Sequence, residues 1–388
     1  MINHNKMPRV LFFSAYLPSK GGTIRRLQHW ARMLKDSCHI TILYGAPDNS
    51  ITNDVVRREL GIEQNITLIS ISAPPYLRGG LVRLKAAKKA WDEFGSGDHD
   101  IVIPMRGDSE TITAGIIKLR DRLKRKRPGF VSCCAGENMP PIAYKGRMKG
   151  RLYRLLIRWA YCTSEMIIAI TPSLKRYLHQ QGISENRIQV IPISVRYDPD
   201  HSEVLHQRPF VFGIVSRLTA SKGISLAIHA FNNMKFKGDA QFRIYGSGPE
   251  EALARQLVKD LSLTNVITFH GYEKPEVAFG SIDCGILASE SEGLPRSILE
   301  AGSLGVPYIA TNVGGVPDLI VHHENGWLFE CGNKSELTYL MEYVLRNKES
   351  VRLAGNNMRE IVKYEYSGEI EKNRLLGVIN NISYNGSL

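Results

Sequence analysis

Short apolar runs alternate with amphipathic stretches along almost the whole chain. In the first half the runs read as buried strands near 9–14, 39–44, 67–71, 100–104, 129–133, 166–170 and 188–192. In the second half they recur near 210–215, 241–245, 266–269, 283–287, 307–310 and 327–329. Between them, apolar positions spaced by three and four predict helices near 23–36, 80–91, 110–124, 147–161 and 172–181, then near 222–233, 249–260, 296–304, 334–346 and 350–362. Strands that alternate with helices in this way belong to parallel sheets with helices on both faces, and there are too many for one sheet. The polar stretch from Arg196 to Glu203 has linker composition. It predicts a first domain over 1–195 and a second over 196–365, with a last helical segment within 366–388 after a polar break. The expectation is an α/β protein of two doubly wound, Rossmann-like domains facing a central cleft, where ligands would bind.

Composition narrows this reading. At 388 residues, with 43% hydrophobic and 23% charged side chains, the chain has the balance of a soluble globular protein. No apolar run approaches the ~20 residues needed to cross a bilayer. The run Val10 to Leu17 stops at Pro18 and reads as a first strand rather than a signal peptide. Six scattered cysteines without CxxC spacing predict free thiols in a reducing, cytoplasmic compartment. The net charge of +12 is uneven: residues 1–195 hold 31 Lys and Arg against 15 Asp and Glu, whereas the remainder holds 19 against 23. Such asymmetry predicts an anionic partner for the first half.

The second half carries the chemistry. After strand 210–215, Arg217 and Lys222 lie five residues apart at a strand end and a helix start, where two cations can flank one diphosphate. Tyr245-Gly246-Ser247-Gly248-Pro249 is a strand end and tight turn, but Glu251 occupies the place of a third glycine, so it is no dinucleotide fingerprint. Strand 283–287 then leads into Glu292-Gly293-Leu294-Pro295-Arg296-Ser297-Ile298-Leu299-Glu300. This elbow puts Glu292 in a loop at a strand's carboxyl end and Glu300 inside the following helix. Spacing alone leaves open an acidic loop before an amphipathic helix. Gly314-Gly315 after strand 307–310 allows either close approach of backbone to a ligand or a tight turn.

Taken in order, Gly213, Arg217, Lys222-Gly223, the Tyr245–Pro249 turn, the Glu292–Glu300 elbow, Gly314-Gly315 and Asn325-Gly326 resemble the retaining glycosyltransferases of family GT4, which have the GT-B fold. The first half agrees through Pro18-Ser19-Lys20-Gly21-Gly22 before a helix, Ile167 to Ser173, and Ile188 to Pro192. The resemblance implies transfer of a sugar from a UDP- or GDP-sugar, with the last helix crossing back onto the first domain. It implies that Arg217 and Lys222 stabilise the leaving diphosphate, that Glu300 binds the ribose, and that Glu292 lies near the transferred sugar. Gly21, Gly22, Gly246, Gly293 and Leu294 would complete the donor site through their backbones. No metal is implied: Asp98-His99-Asp100 has the DxD form but only starts a strand. The chain departs from the family after strand 129–133, where Val131 to Asn138 contains no histidine and Glu137 could take a polar role. Ile193-Ser194 replaces the usual Asn-Gly. Arg106, after strand 100–104, is a further cleft candidate.

Paired carboxylates could also serve glycoside hydrolysis, but an Arg/Lys pair has no purpose on a neutral sugar. An epimerase, hydrolase or phosphorylase on the same fold is the alternative enzyme reading. Nucleic-acid binding lacks the required aromatic–basic interleaving and zinc or helix-turn-helix spacing. In the segment 147–159, Met148, Leu152, Leu155, Leu156 and Trp159 form one stripe, and Arg147, Arg151, Arg154 and Arg158 form another about a quarter turn away. With Lys145, Lys149, the run Arg120 to Arg127 and the Arg83/Lys85/Lys88/Lys89 group, this predicts a basic face that rests on anionic lipid. The expected acceptor is a saccharide or lipid-linked saccharide at the inner face of the cytoplasmic membrane, as in surface polysaccharide or lipopolysaccharide synthesis.

Overall fold

The structure is a computed structural model that describes residues 7–14, 22–46, 52–72, 99–105, 111–112, 115–116, 128–134, 148–196 and 209–385. The expected helix near 80–91, most of that near 110–124, and the linker from Tyr197 to Glu203 lie outside the described residues. The chain divides into two compact units, one of Met1–Ile191 with Glu371–Leu388 and one of Pro192–Ile370.

The first unit is built from β1 (Arg9–Ser14), α1 (Gly22–Leu34), β2 (His39–Ala46), α2 (Asn53–Leu60), β3 (Thr67–Ser72), β4 (Ile101–Pro104), β5 (Gly129–Cys134), α3 (Met148–Thr163), β6 (Met166–Ala169), α4 (Pro172–Gln180) and β7 (Ile188–Val190). Its strands form one parallel sheet in the order β3-β2-β1-β4-β5-β6-β7. The second unit contains β8 (Phe210–Val215), α5 (Ile224–Asn233), β9 (Ala240–Tyr245), α6 (Glu251–Asp260), β10 (Ile267–Gly271), α7 (Pro275–Phe279), β11 (Cys284–Leu287), α8 (Arg296–Gly302), β12 (Tyr308–Thr311), β13 (Trp327–Phe329), α9 (Lys334–Arg346) and α10 (Lys348–Glu365). Its sheet is also parallel, in the order β10-β9-β8-β11-β12-β13. The strands are apolar because both faces are covered: β8 buries Phe210, Phe212 and Ile214 in one core and Val211 in another.

Two helices were not expected. α2 buries only Val56 and Leu60, too few apolar positions to show a period, although Thr52 caps Val55 N–H and Gly61 closes the helix at φ 54°. α7 has only five residues. In α3, Leu155 and Leu156 are 62% and 39% exposed, while Ile157, Ala160 and Tyr161 turn into the core. Part of the expected apolar stripe therefore faces solvent. Arg158 is exposed as well. Arg147 and the side chains of Met148, Arg151, Leu152 and Arg154 are outside the described set.

The last helix, α11 (Gly368–Asn385), returns to the first unit. Leu375, Val378, Ile379 and Ile382 join the core built on β1, β4 and β5. On the same face Glu371 is 1% exposed. Trp30 Nε1 donates to its Oε1 at 2.6 Å, and His29 Nε2 lies 2.9 Å from its Oε2. These contacts satisfy a carboxylate that would otherwise be costly to bury. Replacing Glu371 with Ala should lower unfolding free energy by about 3 kcal/mol, because the buried indole N–H loses a charged acceptor. Urea denaturation measures this, and a loss below about 1 kcal/mol would show that the carboxylate contributes little to holding α11.

Candidate functional site

The carboxyl ends of β8 and β11 bring together the cation pair and the first glutamate of the elbow. Lys222 sits in a one-turn 3-10 helix, Ala220–Lys222, between β8 and α5. Its Nζ donates to Glu292 Oε1 at 2.6 Å, and Ser289 Oγ donates to the same oxygen at 2.6 Å. The Glu292 side chain is only 10% exposed, so its charge is met by Lys222 rather than by water. The cation and carboxylate to which separate jobs were expected to fall are thus a single ion pair. Arg217 is exposed, and its guanidinium has no hydrogen bond or ion pair among the described residues. Glu300 lies in α8, one turn beyond Arg296, whose Nε is 3.4 Å from Glu300 Oε1. Burial pushes the Tyr308 phenol far above its ordinary value, and the Glu300 and Glu292 charges add in the same direction, so this ring beneath the elbow stays neutral.

The glycines have a specific task here. Gly246 has φ 119°, and a Cβ there would stand 1.8 Å from the carbonyl oxygen of Ser216. At Gly248 a Cβ would meet Leu218 O at 2.2 Å, and at Gly223 it would meet Ala288 O at 2.1 Å. Gly314, with φ 53°, would place a Cβ 1.8 Å from Glu292 O, and Gly315 N–H donates to that same carbonyl at 3.3 Å. Leu218 N–H donates to Ser247 O, and Glu290 N–H to Ser221 O, both at 2.9 Å. The turns after β9 and β12 therefore lie directly on the loops that carry Arg217, Lys222 and Glu292. Asn325 is spent in its own turn, donating to Leu319 O and accepting from Val321 N–H, so the Asn-Gly motif is architectural.

The backbone N–H groups of Gly293 and Leu294 have no backbone acceptor among the described residues. With Arg217 and Lys222 they present donors and positive charge at a parallel sheet's carboxyl edge, the arrangement suited to a phosphate. The helix after the elbow is shorter than expected, Arg296–Gly302 rather than 296–304. Ser289 and Thr311 escaped the sequence reading. Ser289 positions Glu292, and Thr311 Oγ1 donates to Ser289 O at 2.7 Å. Nothing in the pattern distinguishes these hydroxyls from other loop serines and strand threonines. Among the described residues no group of three or more His, Cys, Asp or Glu is placed to hold a metal ion. Gly22 begins α1, while Gly21, Arg106 and Glu137 lie outside the described residues.

Comparison with known proteins covers both halves. A family model described as glycosyl transferases group 1 matches residues 198–361, and one described as a glycosyl transferase 4-like domain matches residues 21–194. N-acetyl-alpha-D-glucosaminyl L-malate synthase from Bacillus anthracis is 28% identical over 225 residues, covering 55% of this chain and 59% of that protein. The amylovoran biosynthesis glycosyltransferase AmsK of Erwinia amylovora is 24% identical over 236 residues, covering 58% of each. The chain thus spans a little over half the length of these curated relatives. Among solved structures, Anabaena HepE in complex with UDP superposes with a TM-score of 0.75 at 18% identity, covering 97% of this chain and 100% of that one. That likeness establishes the GT-B fold.

The glycine contacts make a direct prediction. Gly314→Ala should destabilise the protein by more than the ~1–2 kcal/mol of a left-handed alanine, because its Cβ collides with Glu292 O. Gly332→Ala, at φ 80° with nothing within 4 Å, should cost only that backbone strain. Equal losses for the two variants in urea denaturation would contradict the close-packing account.

Proposed function

The chain belongs to the group 1 glycosyltransferases, and from that premise we propose that it moves a sugar from a nucleotide-diphosphate donor to a saccharide or lipid-linked saccharide, with retention of configuration. The observation that carries this reading is the cluster at the ends of β8 and β11: an uncommitted Arg217, the Lys222–Glu292 pair and the open amides of Gly293 and Leu294. Departure of a nucleoside diphosphate leaves negative charge on its terminal phosphate. Arg217 and Lys222 stabilise that charge, and the two amides donate hydrogen bonds to it. Glu292 is held through Oε1 by Lys222 and Ser289, a fixed position that suits it to orient the donor sugar. Glu300, one turn into α8, receives the ribose hydroxyls in exchange for Arg296. The positive charge comes from side chains, so the reaction proceeds without a metal.

Of the UDP- or GDP-sugars expected, the UDP named with HepE supports the uridine one, and the capsular polysaccharide biosynthesis named for CapM of Staphylococcus aureus supports surface polysaccharide assembly. The exposed Leu155 and Leu156, with Arg158 beside them, support a peripheral contact with anionic lipid at the inner face of the cytoplasmic membrane. No described helix is long and apolar enough to cross a membrane.

Calorimetry tests the donor site. Arg217→Ala and Glu300→Ala should each weaken UDP or GDP binding by roughly 10-fold to 100-fold, the value of a charged hydrogen bond. Lys222→Ala should lower kcat by ~10²–10³, and EDTA should leave the rate of the intact protein unchanged. Unaltered nucleotide binding in both variants would overturn the proposal. Nucleotide release or epimer formation without any acceptor would replace it with the hydrolase or epimerase reading. Co-sedimentation with phosphatidylglycerol vesicles should be lost in Leu155→Glu/Leu156→Glu and at high salt. Binding that survives both changes would place the membrane contact elsewhere.

A further inference from the structure

The first unit contains a buried cation that the donor chemistry does not use. Arg26 lies in the second turn of α1 and is 3% exposed. Its Nε and Nη1 are buried without a hydrogen-bond partner. Its contact among the described residues is the ring of Trp30, with Cζ 5.5 Å from the ring centroid. The buried carboxylate close by, Glu371, is already occupied, with Oε1 taken by Trp30 and Oε2 by His29. A guanidinium in this state is expensive, since removal from water costs several kcal/mol when no counter-charge repays it. Native proteins pair such groups.

Its place in the sheet supplies a reason. The order β3-β2-β1-β4-β5 means that the chain leaves β1 towards one edge and returns to β4 on the other side. The carboxyl ends of β1 and β4 therefore form the switch point where open α/β sheets bind ligands. Arg26 belongs to the helix that follows β1. Its charge reaches the Cys133 thiol near the end of β5, where it opposes the burial that pushes that thiol up to about 11. Thr111, in the segment after β4, is fully buried, and its hydroxyl also lacks a partner.

We infer that Arg26 is the anchor for an oxyanion, a carboxylate or phosphate carried by the acceptor, bound at the β1–β4 switch point of the first unit. The planar guanidinium is the side chain best matched to either group. The inference rests on the glycosyltransferase reading only in assigning the anion to the acceptor. It deepens that reading by making the acceptor an acidic one: a uronate-type sugar, or a saccharide on a phosphate-bearing carrier.

The test uses the full chain with UDP at saturation, so that Arg217 and Lys222 are occupied. Calorimetric titrations follow with inorganic pyrophosphate, D-glucuronate and, as the neutral control, D-glucose. At least one oxyanion should bind with a salt-sensitive affinity that D-glucose does not match, and Arg26→Gln should weaken it tenfold or more, leaving UDP affinity unchanged. Arg26→Lys should restore part of the loss. Preference for pyrophosphate assigns the anion to a lipid-type carrier, and preference for glucuronate assigns it to the sugar. Arg26→Met should melt at or above the wild-type temperature, since the unpaired charge is gone. No oxyanion binding by the UDP-saturated wild type overturns the inference whatever the variants do. So does anion binding that Arg26→Gln retains, or a large loss of melting temperature in Arg26→Met with anion affinity intact. If UDP itself fails to bind, the donor reading falls. The anion titration is then run on Arg217→Ala/Lys222→Ala, where it still tests Arg26 alone.

Discussion

Backbone packed on backbone at the carboxyl ends of β8, β9, β11 and β12 fixes the charged groups of the second unit. Gly246 lies on Ser216 O, Gly248 on Leu218 O, Gly223 on Ala288 O and Gly314 on Glu292 O, each too close for a side chain. Hydrogen bonds from Leu218 to Ser247 and from Glu290 to Ser221 lock the same loops laterally. A lysine on one strand end and a glutamate on the next thereby meet at 2.6 Å, although they are separated by 70 residues in sequence. Rigidity here suits the proposed chemistry. A positive charge stabilises a departing phosphate most when it does not have to move to do so.

How each charge is compensated separates structure from function in this molecule. Glu371 is buried but fully satisfied, with an indole on one oxygen and an imidazole on the other, and it fastens α11 to α1. Lys222 and Glu292 satisfy one another, with Ser289 as the third member, so this cluster is stable without any ligand. Arg217 is uncommitted but exposed, which costs little because water solvates it. Arg26 is both uncommitted and buried. Of these, it alone imposes a standing cost on the folded chain, and a ligand charge removes that cost directly.

The sheets were legible because strands covered on both faces read as continuous apolar runs, and all the expected strands are present. α2 was not, because Val56 and Leu60 are its only buried positions, and its true signature was the pair of caps at Thr52 and Gly61. The placing of Arg217, Lys222 and Glu292 at strand ends and of Glu300 in a helix could be read from the strand and helix pattern. The pairing of Lys222 with Glu292 could not, because a long-range contact depends on loop geometry that no local pattern encodes. The glycines were legible as tight positions, with their partner undecided. That partner is the neighbouring loop's carbonyl oxygen.

Arg26 and Glu371 share a signal that pattern reading passes over. Each is a charged residue on the apolar stripe of its helix: Arg26 is one turn from Trp30 and beside Leu27, and Glu371 is one turn from Leu375 and two from Val378. An amphipathic count scores both as interruptions. Physically, a charge on a buried stripe must have a partner, either within the fold or outside it. Glu371 finds its partners in α1, within the fold. Arg26 has the Trp30 ring but no hydrogen-bond partner for Nε or Nη1, and it belongs to the helix that follows β1 at the switch point. The same intrusion into an apolar stripe thus marks a structural clasp in one helix and a recognition group in the other, and the partner's location decides which.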